Sequence, residues 1–181
     1  MNKQQLIILV AVVLVLLGYR LSRRPRIQSP GKLSDDPNVF MPLMADRAVQ
    51  FAKERGKALD YSPESIKVVD SLLGELHDLR DKQRLSNEDL NAHALHFGAY
   101  IGEVIRRKFG GSWATDHPVA GPNSFPMHSL GSDSFTIGWC AKRIVNGDDD
   151  SVWFKYQVVV WRSNQPDATS QPSGTSPMTQ Q

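Results

Sequence analysis

The residues best placed to do chemistry lie on one helical stretch. His93 and His96 are three apart, and Asp89, Tyr100 and Glu103 share their stripe at helical spacing. Imidazole and carboxylate are ligands for a divalent metal, so Asp89, His93, His96 and Glu103 are the candidate ligand set. The tighter helical motif H-E-x-x-H, with ligands at i and i+4 beside a Glu, is absent. A polar helix flank with hydrogen-bonded histidines accounts for the same pattern. No metal and no cofactor is therefore expected. Glu103 stands apart, between Gly102 and Val104, where a helix should be closely packed. A carboxylate there must be paired or its pKa rises. It either accepts from the Trp113 indole or a basic residue, or serves as a binding group or general base in a cleft. The candidate binding residues are thus Glu103, Trp113, His93 and His96, with no catalytic residue assigned.

Other reactive groups carry weaker signals. His117 and His128 lie in polar loops near Asp116 and Ser129, but no G-x-S-x-G elbow supports a hydrolase. Gly110-Gly111-Ser112 follows a helix and does not open one, so it is no phosphate cradle. Asp148, Asp149 and Asp150 lack the spacing of a calcium loop and read as a solvated turn. Cys140 is the sole cysteine, so it reads as a small core residue.

The elements that would hold these groups follow from periodicity. A first helix is expected from about Pro42 to Arg55, with Met44, Ala48, Phe51 and Ala52 on one face. A second starts at Ser62 as N-cap with Pro63 behind it, and repeats Ile66, Val69, Leu72, Leu73, Leu76 and Leu79 to about Lys82. A third opens at Ser86, with Asp89 as capping partner, and stops at Gly110. Gly98 and Gly102 in its middle predict close approach of another element, since each costs about 1 kcal/mol against alanine. A short strand is expected around Trp113. Residues 134–145 alternate at Phe135, Ile137, Trp139 and Ala141, which predicts a strand. Residues 151–161 are rich in β-formers and favour a strand, although Ser151 can equally cap a helix burying Val152, Tyr156, Val159 and Val160.

The chain ends differ from this middle. Leu6 to Leu17 reads LIILVAVVLVLL, apolar on every face. Its twelve residues span about 18 Å, but extension over residues 4–22 reaches about 28 Å against a core of about 30 Å. Lys3 and Arg20 can snorkel to the interfaces, and Tyr19 suits the headgroup level. No small-x-small cleavage site follows, so residues 1–22 are expected to be an uncleaved anchor in the lipid bilayer. Arg20, Arg23, Arg24 and Arg26 place the rest on the cytoplasmic side. Residues 23–36 read as a basic linker, residues 37–162 as one α+β domain, and residues 163–181 as a disordered polar tail. About three helices packed on a small antiparallel sheet are expected for the domain.

Totals narrow the function. The 181-residue chain has net charge +2, is 40% hydrophobic and 22% charged. That is ordinary for a folded domain, and the weak charge gives no reason to expect a nucleic-acid partner.

Three stretches carry a resemblance: DYSPESI before the second helix, GAYIGEVIRRKFGGSW across the third, and KRIVNGDDDS near the end. With its G-x-Y-x-G-E-V helix followed by G-G-x-W, the chain resembles a family of small bacterial domains of unknown function. The resemblance implies an α+β fold, a bacterial source and a helix after Asn146-Gly147, and it supplies no activity. The expected function is a single-pass, membrane-tethered protein-interaction domain without catalysis, with a protein partner. The alternatives are a membrane-anchored metal-dependent enzyme using the Asp89, His93, His96 and Glu103 face, and an immunity-type protein that binds a toxin.

Overall fold

A computed structural model describes residues 35–82 and 84–165. The expected anchor at residues 4–22, most of the linker and tail residues 166–181 lie outside the described residues. Among the described residues, no helix is long and apolar enough to cross a membrane.

Helix α1 (Pro37–Glu54) starts five residues earlier than Pro42, because Asp36 supplies the cap by accepting from the Asn38 amide at 2.9 Å. Its buried side is Met41, Ala45, Ala48 and Ala52, a stripe that is mostly alanine. Such small side chains let α1 lie close against its neighbour. Helix α2 (Ser65–Asp81) buries Ile66, Val69, Leu72, Leu73 and Leu76 as its sequence spacing predicts. Ser62 caps the turn ahead of it, accepting from the Ser65 amide at 3.2 Å.

Helix α3 (Asn87–Phe109) is the centre of the fold, buried without a break from Phe97 to Ile105. Ser86 and Asp89 cap it as expected, with the Ser86 hydroxyl donating to Asp89 at 2.6 Å and accepting from the Asp89 amide at 3.1 Å. The two mid-helix glycines have separate reasons. A Cβ on Gly98 would lie 2.4 Å from the Ile137 Cα, and one on Gly102 would lie 2.1 Å from the Trp113 ring. Two different elements therefore press on α3, one turn apart.

Strands β1 (Ser112–Trp113), β2 (Met127–Ser129) and β3 (Ser132–Ser134) form a three-stranded antiparallel sheet in chain order. A two-residue turn at Leu130-Gly131, both at positive φ, joins β2 to β3 and fits a tight hairpin.

The fold is α+β, with five α-helices in place of the expected three. Both differences arise after Gly131. The strand expected over residues 134–145 is helix α4 (Thr136–Asn146), which buries Thr136, Cys140, Arg143 and Ile144. Those positions follow a 3.6-residue period that coexists with the period-two pattern of Phe135, Ile137, Trp139 and Ala141. The strand favoured over residues 151–161 is helix α5 (Val152–Ser163), reached through a 3₁₀ turn, Gly147–Asp150. Ser151 accepts from the Phe154 amide at 3.2 Å, and Asp70 takes the Val152 amide at 2.7 Å. These caps and a tertiary contact satisfy the helix start and override the local β-propensity. A helix here is also what the resemblance implied.

Candidate functional site

Glu103 has no exposed surface and is fully engaged. Its Oε1 accepts from the Trp113 indole at 3.0 Å and from Arg106 Nε at 2.9 Å; its Oε2 accepts from Arg106 Nη2 at 2.7 Å. Both partners foreseen for it, the indole and a basic residue, are present together. Trp113 is locked in turn. Asn38 accepts from its amide at 2.8 Å and donates to its carbonyl at 3.0 Å, tying α1 to β1. The arrangement is a closed clamp joining α1, α3 and β1. Both carboxylate oxygens accept, Oε1 twice and Oε2 once, and the side chain has no exposed surface, so the carboxylate joins these elements together.

The two helix histidines lie elsewhere. His93 meets the Phe51 ring edge-on at 4.7 Å, and its buried Nδ1 has no hydrogen-bond partner. Burial lowers the pKa of both His93 and His96, so each favours the neutral form. Asp89 is consumed by the helix cap. Asp89 and Glu103 are fourteen residues apart, about 21 Å along the axis. The candidate ligands do not converge. Among the described residues, no group of three or more His, Cys, Asp or Glu is arranged to hold a metal ion.

Asp133 is the residue that sequence reasoning missed. It pairs across the hairpin with His128, and its other oxygen lies 3.1 Å from His117 Nε2. His117 Nδ1 accepts from the Val119 and Ala120 amides, at 3.1 and 3.0 Å, which fixes the proton on Nε2 facing the carboxylate. Asp133 therefore orients two imidazoles. Ser112 on β1 is the register partner of His128. The signal available in the sequence was the hairpin Ser129-Leu130-Gly131-Ser132, which puts residue 133 opposite residue 128.

Two concavities border α4. One, of about 460 Å³, is lined by Gly74, His77, Arg143 and Asp148. Arg143 is 4% exposed; Asp148 accepts from it at 2.7 Å and Asp70 lies 3.5 Å from its Nε. A guanidinium flanked by two carboxylates is neutralised in place, and Asp78 and Asp149 make the rim acidic. The other, of about 330 Å³, lies between α4, α5 and β3, with Trp139, Phe154 and Val158 in its walls and Lys142 and Arg162 at its edge. Along its rim, α5 exposes two aromatic side chains and a valine in one stripe: Phe154 at 66%, Val158 at 39% and Trp161 at 60%. These recur at i, i+4 and i+7, the spacing of one helix face. Cys140 is fully buried, and burial pushes its thiol far above the ordinary range, so it is chemically inert.

No family model matches the sequence, and no curated protein or solved structure matches it significantly.

Proposed function

We propose that the chain is a membrane-tethered interaction domain without catalytic activity. Residues 4–22 anchor it in the bilayer as a single span, the domain works on the cytoplasmic side, and it binds a protein partner. The anchor reading rests on the apolar run and the arginines behind it. The observation that carries the interaction reading is the exposed stripe of Phe154, Val158 and Trp161. A folded domain rarely leaves two large aromatic side chains and a valine in water on one helix face unless something covers them. The bonded state of Glu103 supports the non-catalytic part, because this buried carboxylate is engaged in holding α3 to β1.

Two experiments test this. Ser173 replaced by Cys, with Cys140 buried and silent, is probed with a membrane-impermeant maleimide in intact and lysed cells. Labelling only after lysis is expected; labelling of intact cells refutes the cytoplasmic placement. A photo-crosslinking residue at position 161 of the full chain is expected to capture a stoichiometric protein partner in cells. The same residue at Glu54, exposed on α1 and away from the stripe, is the control. Equal capture from both positions, or from neither, removes the stripe as the binding face.

A further inference from the structure

The stripe's surroundings say what chemistry covers it. We infer that the groove between α4, α5 and β3 receives an acidic, amphipathic helical segment of the partner. An apolar side chain of that segment enters between Trp139, Phe154 and Val158, and its carboxylates meet Lys142 and Arg162. This inference rests on the interaction reading above and names the partner's chemistry.

The charge argument is local. Lys155 is spent on Asp150, at 2.5 Å, and Asp133 is turned toward His117 and His128. Lys142 makes no ion pair or hydrogen bond among the described residues, and Arg162 donates only to the neutral Ser132 hydroxyl, at 2.9 Å. Lys142 lies in the field of Asp150, but that carboxylate is already bonded to Lys155, so two exposed cations without an ion pair of their own stand beside the apolar wall of the groove. Both are exposed, so their field reaches an arriving partner and steers it.

The other occupants fit worse. The tail, residues 166–181, offers Met178 as its only large apolar side chain. The apolar run of residues 6–17 is flanked by Lys3, Arg20, Arg23, Arg24 and Arg26, like charges to Lys142 and Arg162. A second copy would bring the same two cations against themselves. A helix carrying anchors at i, i+3 or i+4 and i+7 matches both the stripe and the groove.

The test uses the full chain in nanodiscs of phosphatidylcholine, panned against a displayed random-peptide library. The expected consensus has Leu or aromatic residues at helical spacing and Asp or Glu beside them. Binding of the selected peptides is expected to fall about tenfold or more with Phe154→Ala or Trp161→Ala. The Lys142→Glu/Arg162→Glu double variant should abolish it and select basic peptides instead. Phe154 and Trp161 are mostly exposed, so these variants should keep the wild-type melting curve. An uncharged or basic consensus for the wild type, or binding indifferent to all four substitutions, overturns the inference. So does protection of a position-161 fluorophore by phosphatidylglycerol nanodiscs, or by self-association, without any peptide selection. If the photo-crosslink at position 161 forms in cells but the selected acidic peptide does not compete with it, this inference fails while the interaction reading stands. If neither crosslink nor consensus appears, both fail.

Discussion

Gly102→Ala tests whether the clamp around Glu103 is as rigid as its hydrogen bonds imply. In an unconstrained helix the change gains about 1 kcal/mol. Here the new Cβ would sit 2.1 Å from Trp113 Cζ2 and 2.2 Å from Cη2, so the ring must move. Trp113 is 3% exposed, and both its backbone polar groups are bonded to Asn38. It has nowhere to go without losing the indole bond to Glu103. Overpacking of this kind costs about 1–3 kcal/mol, and a hydrogen bond to a charged group is worth about 1.5–3 kcal/mol. Against the helix gain, the net loss is about 3 kcal/mol. Gly138→Ala is the matched control: it lies exposed on α4, and its nearest neighbour would be the Phe135 Cβ at 4.0 Å. That variant should gain up to about 1 kcal/mol. Urea unfolding followed by far-UV circular dichroism reads both. A Gly102→Ala domain as stable as the wild type, beside a stabilised Gly138→Ala, would show that Trp113 is free to shift and that the clamp is loose. Sub-additive loss in Gly102→Ala/Trp113→Ala would place the cost on this one contact.

Glu103→Gln keeps an acceptor for the Trp113 indole and should cost about 1 kcal/mol, whereas Glu103→Ala leaves that N–H buried and unpaired and should cost about 3 kcal/mol; equal losses in urea unfolding would refute the geometry. Because burial lowers the pKa of His93 and His96 below the ordinary 6.5, the unfolded chain takes up protons first. Their stabilisation is complete above 6.5 and lost as pH falls through the folded values, so the urea midpoint should drop on acidification and the drop should shrink in His93→Gln/His96→Gln. Tyr156 has its pKa pushed up to about 12 by burial, above the unfolded value of 10.0. Its contribution is therefore intact below 10 and declines as pH rises toward 12, and Tyr156→Phe should remove that decline. The same variant should be neutral or slightly stabilising near neutral pH, since the buried hydroxyl has no hydrogen-bond partner.

The helical half of the fold was legible because one strong period ran through each segment. The stripe from Ile66 to Leu76 and the Ser86–Asp89 cap name α2 and α3 directly. Gly98 and Gly102 announced a close approach but not what approaches. The answer is the backbone of α4 for one and the β1 tryptophan for the other, and both come from later in the chain. The Glu103 partners were foreseen because Trp113 lies only a few residues beyond the end of α3. Asn38, which completes the clamp, was not, since it is 75 residues from Trp113 and nothing in its local sequence points there. Asp89, His93, His96 and Glu103 are not gathered into one metal-holding group among the described residues, because a stripe fourteen residues long lets neighbours share a face without meeting at a point.

The β-like composition of residues 151–161, which left strand and helix open with the strand favoured, and the proposed docking face have one cause. VWFKYQVVVW is too apolar for a helix that buries one side and wets the other, so local composition favours a strand. The structure makes it a helix, fully burying only Val152 and Tyr156 and leaving Trp153, Val159 and Val160 half-buried. The remaining apolar side chains, Phe154, Val158 and Trp161, then have no place in the domain's own core. A helix apolar on all sides is stable where it is covered on all sides. The apolar surplus that gives residues 152–161 the composition of a strand is thus the same surplus that the proposed partner would cover.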